Sequence, residues 1–387
     1  MSITSSQKHL FDLPEEITYL NGAYMSPQLS AVSEIGIASI KRKVQPHLIK
    51  DTDFFTQRKQ LKNIFAKLIN APDPENCAII PSVSYGIANA ANNCPIQAGD
   101  EILLIDEQFP SNVYIWQELA KKNDAKIRII APPSEFTDRG QKWNLSILNA
   151  INPETAVIAM GHIHWADGTL FDLKLIRAKA SQVHAKLIID GTQSVGALPF
   201  DVAELQPDAL ICGGYKWLMG PYSLGMAYYA DTFNEGTPIE HNWMSRYNSE
   251  DFAGLTLYEE RYQPKAAKYS VGESSNFILV PMLITAIDQL LHWKPAHIQQ
   301  YCQSISAEAI QELRELGCYI EDDQHTAYHL FGVYLPETIP MEQLKKELLA
   351  EGVYVSYRGK AIRVSPHVYN DAHDLEKLIR VFKKIDL

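Results

Sequence analysis

The stretch IIDGTQSVGALPFDVAELQPDALICGGYKWLMGP, residues 188–221, decides the fold of this 387-residue chain. Two short apolar runs belong to it, one at 186–190, which begins just before it, and one at 209–214. Runs that are apolar throughout are typical of parallel strands that are buried on both faces. Asp190 ends the first run and Lys216 closely follows the second, so we expect both side chains at the ends of strands.

Lys216 lies in an unusual sequence context for a lysine. Two glycines precede it at 213–214, and the apolar residues 217–219 follow it. Lysine is among the residues that are least often fully buried, so the ordinary interpretation is an exposed loop lysine. The alternative is an amine that reacts. Burial lowers the pKa of an ammonium group, and the neutral amine forms a Schiff base with an aldehyde. The lysine alone does not decide between the two.

Five further apolar runs flank the quoted stretch, at 77–80, 101–106, 126–131, 156–163 and 225–230. Helix-like patterns separate several of them, for example at 111–122 and 172–184. This alternation predicts an α/β fold with a mostly parallel, seven-stranded sheet and helices on both faces. Right-handed crossovers bring the carboxyl ends of the strands to one edge, where ligands bind in such folds.

The pattern changes after Tyr262. It predicts one or two long helices, a strand, a helix, a strand and a helix, in that order, at 281–317, 328–336, 339–351, 361–367 and 371–385. This order is typical of an α+β unit. We therefore expect a large α/β domain at 17–265 and a small α+β domain formed by 1–16 together with 266–387.

Composition narrows the class of partner. Acidic residues outnumber basic residues by 46 to 35, so the net charge is −11, which argues against nucleic acid and anionic membranes as partners. The first residues lack the pattern of a signal peptide, and no apolar run reaches membrane-spanning length. Five cysteines without a CxxC pair suit a reducing compartment, so we expect a cytoplasmic protein that acts on small molecules.

Polar and aromatic residues follow two of the other runs. Ser82 and Ser84 precede a helix-like stretch, where a hydroxyl cap and free backbone amides make an anion site. A plain helix cap is the simpler interpretation. Phe109 follows the next run, and such an aromatic residue either belongs to the core or stacks on a planar ring.

Two histidines follow the run at 156–163. His162 and His164 would share one face of an extended strand, as a metal-binding pair does. No third ligand in a recognised spacing accompanies them, so we do not expect a metal site.

The residues at the predicted sheet edge suggest a cofactor when they are taken together. An anion site, an aromatic plate, a carboxylate and a lysine are the set that pyridoxal 5′-phosphate needs. Nicotinamide cofactors need a GxGxxG motif and P-loop nucleotides need GxxxxGK[ST], and the sequence has neither in the required context.

The quoted stretch resembles the core of the class V aminotransferase family of fold type I pyridoxal-phosphate enzymes. That family includes cysteine desulfurases, selenocysteine lyases, kynureninases and isopenicillin N epimerases. The resemblance extends from YLNGAYMSP at 19–27 to IRVSPHVYND at 362–371. Its most specific element is Asp190 and Gln193 followed by Lys216, which comes 26 residues after the aspartate.

The resemblance implies roles for matching residues. Lys216 looks like the Schiff-base lysine, Asp190 like the acid that keeps the pyridine nitrogen protonated, and Gln193 like a contact of the ring's phenolic oxygen. Arg363 resembles the arginine that holds the substrate α-carboxylate, and Tyr24 is a further substrate contact. The other implied cofactor contacts are Val83 through its amide, Ser84, Phe109, His162, Tyr215, and Ser274 across a homodimer interface.

Departures from the family pattern bear on the reaction. Phe109 stands where many members have a histidine, and Tyr215 follows two glycines where many have Ser-Gly-His before the lysine. Both features are closer to the kynureninases. Trp165 stands where desulfurases usually have asparagine. Desulfurases also carry a nucleophilic cysteine shortly before the carboxylate-binding arginine, and GVYVSYRGKAIR at 352–363 has none, so a persulfide mechanism is not expected.

The resemblance therefore implies an enzyme that acts on the α-carbon of an amino acid. Transamination, epimerisation and loss of a side-chain substituent share the same residues, and the sequence does not choose between them. The overall likeness favours the isopenicillin N epimerase-like branch. A kynureninase-like hydrolase and a protein that binds the cofactor without turnover are the alternatives.

Overall fold

The computed structural model of the chain describes residues 3–386. The strands are β1 Thr18–Tyr19, β2 Cys77–Ile80, β3 Glu101–Ile105, β4 Lys126–Ile130, β5 Thr155–Gly161, β6 Lys186–Asp190, β7 Ala209–Gly213, β8 Gly225–Tyr229, β9 Phe331–Tyr334, β10 Val353–Tyr354, β11 Ser356–Arg358 and β12 Ala361–Val364. The helices are α1 Ser30–Arg42, α2 Asp53–Leu68, α3 Val83–Asn92, α4 Tyr114–Asn123, α5 Arg139–Ala150, α6 Leu173–Gln182, α7 Val202–Leu205, α8 Leu279–Trp293, α9 Pro295–Glu315, α10 Met341–Ala350 and α11 Ala372–Asp386.

Seven strands form the central sheet, in the order β2-β8-β7-β6-β5-β3-β4. Each of the seven predicted runs contributes one of these strands, within two residues at either end. Only β8 runs against its neighbours, since it pairs antiparallel with both β2 and β7. The predicted α/β class with a mostly parallel seven-stranded sheet is therefore confirmed.

The inner residues of the central strands are apolar because both faces of the sheet are covered. In β3, Leu103 and Ile105 belong to the larger hydrophobic core, which also contains residues of α5 and α6. Ile102 and Leu104 point the other way, into a second core with α3 and α4. Alternate side chains of a strand face opposite sides of a sheet, so burial on both sides removes the polar alternation.

The C-terminal part has its own sheet, in which β12 lies between β9 and β11 and is antiparallel to both. The stretch 281–317, predicted as one or two long helices, forms two, because Lys294 has a φ of 67° and Pro295 starts α9. The short strand β1 pairs with β10, so this strand of the predicted large domain adjoins the C-terminal part. The domain boundaries remain a prediction.

The helices bear on whether the chain could span a membrane, and the cysteines bear on whether a thiol is exposed. Of the helices in residues 3–386, none combines the length and the hydropathy that crossing a bilayer requires. All five cysteines are buried.

Candidate active site

A cavity of about 290 Å³ opens at the carboxyl edge of the central sheet. Its walls come from the segments that follow β2, β3, β5, β6 and β7, together with the loop at 222–224. The site residues predicted from the sequence that line it are Val83, Ser84, Phe109, Asp190, Gln193, Tyr215 and Lys216. Four parallel strands, β2, β3, β6 and β7, thus deliver these side chains to one place, as the fold class predicts.

The loop after β7 aims Lys216 into the cavity. Gly214 donates its N–H to the carbonyl of Leu224 at 2.9 Å, and a Cβ at Gly214 would lie only 2.3 Å from that oxygen. The Oγ of Ser26 donates a hydrogen bond to the Lys216 carbonyl at 2.5 Å. These contacts fix the backbone, so the side chain alone reaches the cavity. The glycine before Tyr215 is therefore a steric requirement.

The Lys216 amine sits in apolar and cationic surroundings. The residue is 7% exposed, and its Nζ lies 5.6 Å from the ring centroids of both Phe109 and Tyr215. Burial, followed by the positive charge of Arg363, lowers the pKa of Lys216 to about 8, while Asp190 acts in the opposite direction. An amine with such a pKa is partly neutral near physiological pH, which a nucleophilic lysine requires. The structure therefore favours a reactive lysine over an exposed loop residue.

Asp190 ends β6 and places its carboxylate in the same cavity. Its Oδ1 accepts the N–H of Thr192 at 2.9 Å. Burial raises the pKa of Asp190, and the hydrogen bonds from Thr192 and the charge of Lys216 partly oppose that shift. Because burial disfavours its charged form, the carboxylate would be stabilised by a cationic group bound beside it.

The side chain of Gln193 is held at both ends. Its Oε1 accepts the indole N–H of Trp217 at 2.9 Å, and its Nε2 donates to the carbonyl of Ala23 at 3.1 Å. Because an indole nitrogen only donates, these partners define which end of the amide is oxygen. The second N–H of Nε2 remains available to a group in the cavity.

The N-terminus of α3 forms the opposite wall. Ser82 caps the helix, since its Oγ accepts the N–H of Tyr85 at 3.2 Å. The first N–H groups of a helix, here those of Val83 and Ser84, have no partner within the helix. The Oγ atoms of Ser82 and Ser84 lie 3.0 Å apart. Two hydroxyls and a helix N-terminus together make a site that suits an anion.

Arg363 lies on β12 and is fully buried, yet it has no carboxylate partner within residues 3–386. Its Nη1 donates to the carbonyl of Trp165 at 2.6 Å, its Nη2 contacts the Oγ of Ser356 at 3.4 Å, and its Nε has no hydrogen-bond partner there. Burial, then the charge of Arg358, lowers the pKa of Arg363 to about 9. A buried cation without a counter-ion is costly and calls for an anionic ligand.

Trp165, Thr192 and Tyr222 also line the cavity, and no role was predicted for them. Trp165 packs edge-on against Phe109 with ring centroids 5.3 Å apart. Tyr222 follows the Gly-Pro pair that closes the lysine segment, which was the only hint in the sequence.

Four site residues predicted from the sequence lie outside the cavity lining. Arg363 is one of them, and it contacts the wall through the carbonyl of Trp165. The other three are His162, Ser274 and Tyr24. His162 faces a separate cavity of about 630 Å³, and burial lowers its pKa to about 3. Ser274 is fully buried within its own chain and has no partner for its hydroxyl in residues 3–386. Tyr24 is exposed. A cofactor contact by His162 would need a different arrangement from the one observed, whereas the contact of Ser274 across a dimer interface stays a prediction.

The predicted sharing of one face by the two histidines does not occur, because β5 ends at Gly161 and strand alternation stops there. The Nδ1 of His164 lies 2.9 Å from the Oδ1 of Asp167. The Oδ2 of the same carboxylate pairs with the Nη2 of Arg139 at 2.9 Å. Within residues 3–386, no cluster of three or more candidate ligands could hold a metal ion.

The donor set of the cavity fits pyridoxal phosphate. It combines a helix N-terminus with two hydroxyls for a phosphate, a buried carboxylate for a pyridinium nitrogen, an amide donor for a phenolic oxygen and a buried amine for an aldehyde. A Cβ at Gly213 would come within 3.3 Å of the Thr192 side chain and 3.4 Å of Val83, so the glycine keeps this part of the cavity open.

Known proteins resemble the chain over most of its length. The family model described as aminotransferase class V matches residues 41–381. An uncharacterised aminotransferase of Bacillus subtilis, YcbU, is 25% identical over 95% of this chain and 96% of its own length. A probable cysteine desulfurase of Vibrio cholerae is 24% identical over 83% of this chain and 81% of its own length.

Solved structures share the fold. A mutant of the C-DES protein, described with glycine covalently linked to its cofactor, superposes with a TM-score of 0.85 at 18% identity and covers 98% of this chain and 99% of its own. The apo cysteine desulfurase of Thermococcus onnurineus gives a TM-score of 0.84 at 18% identity, over 99% of both chains. The chain therefore belongs to the class V aminotransferase family, and it is a pyridoxal-phosphate-dependent enzyme of fold type I.

Proposed function

We propose that the enzyme acts at the α-carbon of an amino acid, which Arg363 holds by its α-carboxylate while Lys216 moves the α-proton. The buried guanidinium of Arg363 carries the proposal, because it lacks a carboxylate within the described chain and its field reaches Lys216. A planar guanidinium binds a carboxylate through two parallel hydrogen bonds. An amino acid bound there would bring its α-carbon toward the cavity that Lys216 faces.

The residues around the cavity divide the task of holding the cofactor. In this proposal the amides of Val83 and Ser84 bind the phosphate, Asp190 faces the ring nitrogen, and Gln193 donates to the phenolic oxygen. Lys216 Nζ is the point of covalent attachment. Phe109 covers one ring face and excludes water from it. Bound pyridoxal phosphate supplies an electron-withdrawing ring that stabilises negative charge developing at the α-carbon.

Lys216 is the proposed base. With a pKa lowered to about 8, a fraction of its amine is neutral near physiological pH and can accept a proton at Nζ. Two cations lower this pKa, Arg363 on β12 and Arg358 on β11. Arg363 is also the residue proposed to bind the substrate carboxylate. Binding of an anionic substrate would weaken their effect and raise the basicity of Nζ as the substrate arrives.

A cysteine persulfide plays no part in the proposed chemistry. Cys77, Cys94, Cys212, Cys302 and Cys318 are all buried. Burial raises the pKa of Cys77 and of Cys94 to about 12, whereas a nucleophilic cysteine needs an exposed thiolate. The turn at 359–360 between β11 and β12 also lacks a cysteine. The proposal therefore favours transamination, epimerisation or loss of a side-chain substituent over persulfide transfer, and the relatives called aminotransferases are consistent with it.

Exchange of the α-proton into heavy water tests the proposal. We expect the wild-type protein, loaded with cofactor, to exchange the α-proton of at least one amino acid in a screen of the common ones, and product analysis then identifies the reaction. Lys216→Ala should abolish exchange, whereas Lys360→Ala, which removes an exposed lysine of the β11–β12 turn, should not. Cofactor binding without exchange of any amino acid would favour the alternative of a non-catalytic binding protein.

We also propose a cytoplasmic homodimer of the isopenicillin N epimerase-like branch. Large apolar side chains that a second copy could cover support the dimer, among them Leu257 at 75% exposure and Tyr258 at 96%. Burial of all five cysteines suits a reducing compartment.

A further inference from the structure

We infer that the substrate carries a second anionic group on its side chain and that Arg358 binds this group. The substrate class is then an α-amino acid with a carboxylate, sulfinate or sulfonate side chain. The inference rests on the proposed function, in which Arg363 takes the α-carboxylate.

The hairpin of β11 and β12 places the two arginines on one face. Ser356 lies opposite Arg363 and Arg358 lies opposite Ala361 in the antiparallel register. Arg358 and Arg363 are therefore diagonal neighbours on the same side of the hairpin. The backbones of such neighbours are usually about 7–8 Å apart. The intervening Tyr357 points to the other side, where the Nζ of Lys345 on α10 lies 5.1 Å from its ring centroid. Tyr357 on one face of the hairpin thus contacts α10 through Lys345, and the opposite face presents two guanidinium groups.

Trp165 joins both guanidinium groups to the cavity. This residue forms part of the cavity wall. Its carbonyl accepts the Nη1 of Arg363 at 2.6 Å, and its ring centroid lies 5.5 Å from the guanidinium carbon of Arg358. Stacking on an indole orients a guanidinium while leaving the edge with its N–H donors free. The two arginines thus flank the same wall residue.

Arg358 has no anionic partner to explain its position. Its one hydrogen-bond acceptor within residues 3–386 is the carbonyl of Tyr357, at 2.8 Å, and no ion pair involves it there. Its Nε is buried and has no partner in the same range. A partly buried guanidinium that stacks on a cavity wall and lacks a counter-ion is suited to a ligand anion.

The charges that act on the cavity are consistent with a second substrate anion. Asp190 is the one carboxylate in the lining, whereas the fields of Lys216, Arg358 and Arg363 act on the same space. The proposed phosphate site is the N-terminus of α3, and the α-carboxylate of the substrate would pair with Arg363. Arg358 is then left for a further negative charge.

Binding of matched acid and amide pairs by the holoenzyme tests the inference. We expect the change in cofactor absorption to give a Kd for glutamate or aspartate at least about tenfold lower than for glutamine or asparagine, as charge-assisted pairing implies. The Kd values of cysteine sulfinate and cysteate, compared with those of aspartate and glutamate, show which acidic group and which side-chain length bind best. Calorimetric titration with glutarate, which lacks an amine, reports binding to the guanidinium groups without turnover, and its monoamide should bind about tenfold more weakly.

Variants assign the preference to Arg358. Arg358→Gln should bring the ratio between acid and amide close to one, Arg358→Lys should retain part of it, and Lys360→Gln in the same hairpin should leave it unchanged. Thermal unfolding shows whether each variant is folded, and Arg358→Lys provides the test if Arg358→Gln is not. Equal binding of acids and amides by the wild type, or a preference that survives loss of the Arg358 charge, would overturn the inference. α-Proton exchange of neutral amino acids with no acid preference would leave the proposed function standing, whereas no exchange of any amino acid would overturn the proposed function itself.

Discussion

The Lys216 amine and the Asp190 carboxylate line one cavity, and burial there disfavours charge on either of them. Burial lowers the pKa of the first and raises that of the second. Perturbed pKa values of this kind are common at catalytic sites. The Lys216 amine, with a pKa of about 8, can both take and release a proton near neutral pH.

The pKa of Lys216 makes a prediction about stability in the cofactor-free protein. A folded-state pKa of about 8, below the ordinary 10.5, means that the unfolded chain binds more protons between these values. The resulting loss of stability is fully present below pH 8, decreases as pH rises toward 10.5 and is then gone. Its size is about 3 kcal/mol. Lys216→Met should therefore be more stable than wild type at pH 7, and urea unfolding at pH 7, 9 and 10 should show that the advantage shrinks. An advantage that does not change with pH would contradict the assigned pKa.

Asp190→Asn keeps the shape of the side chain and removes its charge. We expect the cofactor still to bind, because the N-terminus of α3 and Lys216 are unchanged. Turnover should fall by about a hundredfold or more, which is the usual effect of losing one positioned charge in an active site. Asp106→Asn makes the same change at the end of β3, outside the cavity lining, and should have little effect. Near-normal turnover of Asp190→Asn with cofactor bound would mean that the carboxylate is structural.

At the level of elements, the turn after β6 supports the loop that carries Lys216. Gly196 in this turn has a φ of 107°, and a Cβ there would lie 2.1 Å from the carbonyl oxygen of Trp217. Trp217 in turn donates to Gln193. A glycine is required at this position both by its backbone conformation and by the close approach of the next loop.

Gly196→Ala should lower the free energy of unfolding by about 2 kcal/mol or more, since strain and a steric clash add. The cavity loop should shift as well, so the affinity for cofactor should fall. Gly99→Ala is a matched control, because Gly99 has a φ of 90° but nothing within 4 Å of its Cβ position. Chemical unfolding of both variants separates backbone strain from the clash. Equal losses in the two variants would show that the approach of Trp217 imposes no cost.

On the scale of the whole molecule, the cavity opens beside exposed aromatic residues. Tyr222 lines it and is exposed, and Tyr24 is exposed as well. Leu257 and Tyr258 are adjacent in the chain and are both exposed. Large exposed apolar side chains that lie together are typical of surfaces that bind another protein. A twofold dimer is the commonest assembly of soluble enzymes.

We expect a homodimer at micromolar concentration by sedimentation velocity. Changing both Leu257 and Tyr258 to glutamate should produce monomers, because two charges at an apolar interface would have to be desolvated. Leu175→Glu introduces a charge at another exposed leucine, on α6, and should leave the dimer intact. A wild-type monomer with full activity would refute the prediction, including the contribution expected of Ser274 across the interface.

Local patterns in the sequence were sufficient to predict the central sheet. The seven strands are short, apolar and separated by helical segments, and burial on both faces leaves such runs no other stable arrangement. The spacing from Asp190 to Lys216 placed both residues at strand ends, because the crossover rule puts consecutive parallel strands in register at one edge. Chemistry at that edge was therefore predictable from residue order alone.

Residues that depend on distant contacts could not be placed in this way. His162 and His164 were expected on one face, but β5 stops at Gly161 and the chain turns, so periodicity carries no information beyond that point. Ser274 was matched by resemblance, and its contact across a dimer interface stays a prediction, because a match in sequence does not show which surface of a second copy would lie beside it. Only the tertiary structure brings Arg358 onto the ring of Trp165, 193 positions earlier in the chain, because long-range packing and not local propensity decides which charges remain without partners.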